Sequence, residues 1–85
     1  MLRLKEWNEV LDYAEKAKEE LINKGINVKV EPYLMYNNEK GVYFVVYDKN
    51  GKEFNRYASG VHDTVEKYKK YINYYKELII EECVG

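Results

Sequence analysis

The hydrophobic period of this chain changes twice, from about 3.6 residues to two and back, and few architectures accept that pattern. Leu4, Trp7, Val10, Leu11, Ala14, Ala17 and Leu21 recur at spacings of three and four. That spacing predicts a helix from about Lys5 to Asn23 with one apolar face. Asp12–Lys16 and Glu20–Lys24 add i,i+4 support, and Gly25 reads as the left-handed stop. From Ile26 the period is two. Ile26, Val28, Val30, Leu34 and Tyr36 alternate with Asn27, Lys29, Glu31, Tyr33 and Met35, which predicts a strand. Pro32 has no N–H to donate, so this strand lies at a sheet edge or breaks there. Asn37–Gly41 is a turn, Val42–Tyr47 a second strand, and Asp48-Lys49-Asn50-Gly51-Lys52 a hairpin signal. Phe54–Ser59 is the third strand, ended by Gly60. Asp63 with Glu66 three residues on has the spacing of a capping box. A second helix then runs to about Cys83, with Val65, Tyr68, Ile72, Tyr75, Leu78 and Ile79 as its apolar stripe.

Every connection is short, so consecutive strands pair antiparallel as a meander. Each helix has a single apolar stripe, so both lie on one sheet face. The expected architecture is a two-layer α+β domain, helix–strand–strand–strand–helix, occupying residues 1–85 as one unit. Its core would contain Val28, Val30, Leu34, Val42, Phe44, Val46 and Phe54. Two registers compete in the second hairpin. A two-residue Asn50-Gly51 turn pairs Tyr47 with Phe54 and Val46 with Asn55. A three-residue loop, Lys49-Asn50-Gly51, pairs Val46 with Phe54 and Val42 with Ala58. Because a slip of one residue exchanges the two faces, the cleaner apolar set favours the three-residue loop with a bulge, with Gly51 left-handed. In that register Arg56 falls on the apolar face near its rim.

The other sheet face then carries Tyr33, Met35, Tyr43, Val45, Tyr47 and Tyr57 among Lys29, Glu31, Glu53 and Asn55, with Tyr43 opposite Tyr57. Ten tyrosines, against two Phe and one Trp, make this concentration the chain's most distinctive chemical feature. Exposed patches of that kind mark interaction sites, and Tyr and Met are enriched at protein interfaces. These six residues are the candidate partner-binding set. Tyr68 and Tyr75 belong to the helix stripe, while Tyr13, Tyr36, Tyr71 and Tyr74 stay unassigned. Lys67, Lys69 and Lys70 near the start of the second helix are the candidate nucleic-acid contacts.

Charge argues against a large nucleic-acid footprint, since 14 basic and 15 acidic residues leave a net charge of −1. One Cys and one His exclude an internal disulfide, a thiolate zinc cluster and a histidine pair. His62 and Cys83 would stand at opposite ends of a helix roughly 30 Å long, too far apart to act as a nucleophile pair. No carboxylate pair, phosphate-cradling loop or metal-ligand spacing stands out. The chain therefore reads as non-enzymatic, with no catalytic residue, metal or cofactor. No apolar run approaches a membrane span of about 18 residues, and Met1–Trp7 has no signal-peptide core, so a soluble, cytoplasmic protein is expected. Abundant Lys, Asn, Ile and Tyr with no Gln suggest an AT-rich genome.

Two families share features with this chain. Phe44-Val45-Val46-Tyr47-Asp48-Lys49-Asn50-Gly51-Lys52-Glu53, then Gly60 and a helix, resembles the second half of the double-stranded-RNA-binding domain, whose element order is the same. That resemblance implies RNA contacts from Lys67, Lys69 and Lys70. Val45–Phe54 through Thr64-Val65-Glu66-Lys67-Tyr68 resembles the hairpin-to-helix segment of small phage-encoded anti-CRISPR inhibitors of Cas9. That resemblance implies a protein partner, a host defence nuclease, blocked directly. The leading expectation is a small phage- or mobile-element-like binding protein that engages a protein, or itself, through the tyrosine face. A nucleic-acid-binding domain is the alternative, and a designed or orphan domain without a partner is the third.

Overall fold

A computed structural model of the chain describes residues 2–83. Five elements follow one another: α1 (Leu4–Asn23), β1 (Asn27–Leu34), β2 (Lys40–Tyr47), β3 (Glu53–Ala58) and α2 (Val65–Cys83). The strands form an open antiparallel sheet in the order β1–β2–β3. The α+β architecture expected from the change of period is the one adopted.

Local chemistry sets the helix ends. At the start of α1 the Arg3 N–H donates to the Glu6 carboxylate at 3.1 Å. α1 closes in a Schellman motif, with Gly25 left-handed at φ 86°. The Gly25 N–H donates to the Ile22 carbonyl and the Ile26 N–H to the Leu21 carbonyl. Leu21 and Ile26, which bracket that motif, are both buried. The cap of α2 differs from expectation. Thr64 Oγ1 accepts the Lys67 N–H at 3.2 Å, so Thr64 takes the position assigned to Asp63. Asp63 instead pairs with Lys67 Nζ at 3.0 Å.

Both hairpins turn through three residues, Tyr36-Asn37-Asn38 and Lys49-Asn50-Gly51. In each the third residue is left-handed, Asn38 at φ 66° and Gly51 at φ 80°. Each loop is closed by the same two backbone bonds. Met35 N–H donates to Glu39 and Asn38 N–H to Met35; Asp48 N–H donates to Lys52 and Gly51 N–H to Asp48. The Asp48 carboxylate also accepts the N–H groups of Asn50 and Lys52.

The three-residue loop is as expected, but the strand register beyond it is not. Tyr47 pairs with Glu53, then a bulge intervenes, and Val46 pairs with Asn55, Val45 with Arg56, Phe44 with Tyr57 and Tyr43 with Ala58. Phe54 is the extra residue. Carried to the end of β3, the loop register would have set Arg56 against Phe44 beneath the helices. Burying an unpaired guanidinium there costs more than leaving one ring in water. The bulge turns Arg56 outward and Tyr57 inward. Phe54, expected in the core, is 57% exposed as a result.

The two helices lie side by side and parallel. Lys69 meets Glu9 at 3.5 Å, Asn73 Nδ2 donates to the Tyr13 hydroxyl at 2.5 Å, and Lys76 meets Glu20 at 2.9 Å, so the contacts advance together along both. Trp7, Val10, Ala14, Ala17 and Leu21 of α1 share one core with Val28, Val42, Phe44 and Val46 of the sheet and with Val65, Tyr68, Ile72 and Ile79 of α2. Leu34, also expected in the core, is 64% exposed. It stands where the β1–β2 hairpin runs past the helical layer.

Candidate binding surfaces

The face of the sheet opposite the helices is assembled from every second residue of each strand. Lys29, Glu31 and Tyr33 come from β1, and Gly41, Tyr43, Val45 and Tyr47 from β2. Arg56 arrives there from β3 because of the bulge. Its guanidinium lies 5.0 Å from the centre of the Tyr43 ring. It pairs with Glu53 at 2.9 Å on its own strand and with Glu31 at 3.7 Å two strands away. Lys29 closes the row on Glu31 at 3.7 Å. Arg56 therefore spans the sheet. Its cross-strand neighbour Val45 is 0% exposed although no helix covers that side. The Glu53 carboxyl is held below its ordinary range by the hydrogen bond from Arg56, and Arg56 is raised by the same contact.

Tyr33 and Tyr43 sit with ring centres 4.5 Å apart. The Tyr33 ring lies over Gly41, its cross-strand partner. A Cβ at position 41 would stand 2.7 Å from Tyr33 Cε1 and overlap the hydroxyl end of the ring. Only glycine leaves the ring its place, a pairing known to shield a bare strand glycine. Burial raises the Tyr33 hydroxyl pKa, and the neighbouring Tyr43 adds to that. Gly41→Ala should swing Tyr33 into solvent at a cost of about 1 kcal/mol, the order of one cross-strand aromatic pair. Urea denaturation would measure the loss, and the Tyr33 ring resonances would report the displacement while the sheet persists.

The six residues expected on this face divide. Tyr33, Tyr43 and Tyr47 are there and half-buried, Val45 is there but covered, and Met35 is exposed at the start of the β1–β2 loop. Tyr57 is on the other side. Its ring centre is 5.7 Å from that of Tyr75 on α2, and its hydroxyl donates to Glu82 at 2.5 Å. Burial, followed by that carboxylate contact, pushes its pKa up to about 12. The fold thus holds the neutral phenol, whose ordinary pKa is about 10. This contribution is complete below pH ~10 and is lost as pH rises towards about 12. Between pH ~9 and pH ~11, denaturation midpoints of the natural chain should fall more than those of Tyr57→Phe.

Sequence reasoning missed Arg56, because the favoured register put it under the helices. The signal that finds it is its own charge, which a face-down register cannot accommodate. The lysine cluster is largely spent inside the molecule. Lys67 pairs with Asp63, while Lys69 reaches Glu9 and lies 5.2 Å from the Tyr13 ring centre. Lys70 is exposed.

The sheet edges are guarded. The Met35 N–H donates to Glu39, so the odd-numbered residues of β1 face β2 and Pro32 faces outward, where its missing N–H costs nothing. On β3 the Ser59 N–H donates to Val42, so Arg56 N–H faces outward, and Asn55 Oδ1 accepts it at 2.8 Å. A proline, a bulge and a side-chain cap are ways of refusing an added strand.

Among the described residues no cluster of three His, Cys, Asp or Glu could hold a metal ion. Among the same residues no helix is long and apolar enough to cross a membrane. His62 and Cys83 stand at opposite ends of the α2 region, as expected. Compared with protein-family models, curated proteins and solved structures, the chain matches none.

Proposed function

We propose that this chain is a small non-enzymatic binding protein that docks a protein partner on its open sheet face. The observation that carries the proposal is Arg56, laid against the Tyr43 ring and paired with Glu31, with Tyr33 packed on Tyr43. Tyr and Arg dominate the energetic centres of protein interfaces. Here their side chains are already held by stacking and ion pairs, which lowers the entropy lost on docking. The charged rim of Lys29, Glu31 and Glu53 would set orientation and association rate more than affinity. A phage- or mobile-element-encoded inhibitor of a host defence nuclease is one concrete form of this function.

Nucleic-acid binding has less support, since Lys67 and Lys69 already have acidic partners. Salt separates the two readings. Phosphate-driven binding weakens steeply as salt rises, whereas binding through the Tyr43–Arg56 face should lose about tenfold or less over the same range. Tight binding of RNA or DNA at low salt, lost at moderate salt, would replace the protein-partner reading.

A further inference from the structure

The outward side of α2 carries an ordered pattern of charge. Val65, Tyr68, Ile72 and Ile79 are the buried residues of this helix and face the core. At 3.6 residues per turn the opposite side is centred on Tyr74, which is 58% exposed. Lys67 stands seven residues before Tyr74 and Glu81 seven after it, both exposed and nearly in line with it. Lys70 and Glu77, four before and three after, are also exposed and share one flank of that line. Tyr71 and the half-buried Leu78, three before and four after, share the other flank. The stripe thus runs from basic through aromatic to acidic. Lys76, which would interrupt the acidic half, is turned aside to Glu20 of α1 at 2.9 Å.

This order adds nothing to the stability of the helix itself. The macrodipole favours anions near the N-terminus and cations near the C-terminus, and the last turn of α2 carries no basic residue. Contacts within the chain answer the stripe only in part. Lys67 pairs with Asp63 at 3.0 Å, and Glu77 lies 3.9 Å from Lys76. Among the described residues Lys70 and Glu81 have no ion-pair partner.

The stripe is complementary to its own reverse. A two-fold axis at Tyr74, perpendicular to the helix, makes each copy give and receive the same contacts. It sets Tyr74 against Tyr74 and Lys67 against Glu81 of the second copy. On one flank Lys70 meets Glu77 of the second copy, and on the other Tyr71 meets Leu78. Every charge of the stripe then meets its opposite. A parallel arrangement would instead set lysine on lysine and glutamate on glutamate, and charges beside a helix seam select orientation in this way. We propose that the outward face of α2 is a self-association surface, on which a second copy of this chain docks its own α2 antiparallel about Tyr74. The guarded edges of β1 and β3 exclude a dimer made by joining sheets. The Tyr43–Arg56 face lies on the far side of the sheet and is a separate surface.

Contact between two helices of 19 residues lies below the roughly 1,200 Å² of stable complexes. Sedimentation equilibrium of the full chain from about 1 μM to about 1 mM covers the affinity expected of it. The natural chain should form a reversible dimer. Lys67→Glu/Lys70→Glu makes the stripe wholly acidic, and Glu77→Lys/Glu81→Lys makes it wholly basic. Both changes suit the macrodipole, so each variant should keep the natural circular dichroism. Each alone should dimerise about tenfold or more weakly, and an equimolar mixture should associate at least as well as the natural chain. Tyr43→Ser/Arg56→Ser, on the sheet face, should dimerise normally. A natural chain that stays monomeric throughout the range would overturn the proposal. So would charge-reversed variants that each dimerise as well as the natural chain, or a mixture of the two that fails to associate.

Discussion

Phe44→Ala should destabilise the chain severely, leaving it folded with little margin at ambient temperature. Phe44 is fully buried, paired across β2–β3 with Tyr57 and set in the core that both helices share. Deleting such a ring removes its transfer free energy and leaves a cavity, about 3–5 kcal/mol together. Domains of this size have little to spare within the usual ~5–15 kcal/mol. Phe54→Ala provides the contrast. Phe54 is the bulged residue and mostly in water, so its truncation should cost under about 1 kcal/mol. Urea denaturation followed by circular dichroism measures both. Equal losses would mean that β3 runs in the register without the bulge, with Phe54 under the helices and Arg56 beside Phe44.

Tyr68→Ala should be nearly as damaging, again by about 3–5 kcal/mol. The Tyr68 ring fills the core between Trp7, at 5.7 Å, and His62, at 4.9 Å. Its hydroxyl donates to the Lys40 carbonyl at 2.6 Å, tying α2 to the β1–β2 hairpin. Tyr68→Phe separates the two roles. It keeps the ring and removes the hydroxyl that donates to that carbonyl, so a loss of about 1–2 kcal/mol is expected. Thermal melts of the two variants should therefore differ clearly. Similar melts would show that the hydrogen bond, not the ring, carries the contribution of this residue.

Much of the fold could be read from periodicity and punctuation. The stripe from Trp7 to Leu21, the stop at Gly25, the edge position of Pro32 and the left-handed Gly51 all act within a few residues of themselves. Each is visible without tertiary context. The bulge is different in kind. Nothing local to Phe54 requires it; it follows from the cost of placing Arg56 under α2, a balance between two faces that only the assembled sheet expresses. The same decision moved Tyr57 from the open face to Tyr75 and Glu82. It also replaced an expected apolar patch with an arginine lying over Tyr43. Val45 shows the limit of alternation, since it faces outward by parity yet is covered by long side chains from both neighbouring strands. Thr64 in place of Asp63 is a shift of one residue between two equally good capping chemistries.

The tyrosines resolve into distinct uses. Tyr68, Tyr75 and Tyr57 support the core, Tyr33 shields Gly41, and Tyr43 carries Arg56. Tyr36, at the tip of the β1–β2 hairpin, is 98% exposed.

Protein binding by the Arg56-spanned sheet face can be read by matched affinity capture. Natural chain, the double variant Tyr43→Ser/Arg56→Ser and the single variant Tyr36→Ser are immobilised, each first checked for native circular dichroism. They are exposed to nuclease-treated lysate of the source cell, and retained proteins are quantified by mass spectrometry. One protein should be retained at moderate salt by the natural chain and by Tyr36→Ser, and reduced by about tenfold or more on the folded double variant, as expected when interface anchors are lost. Equal retention by the double variant would contradict it, as would the absence of any protein retained by the natural chain.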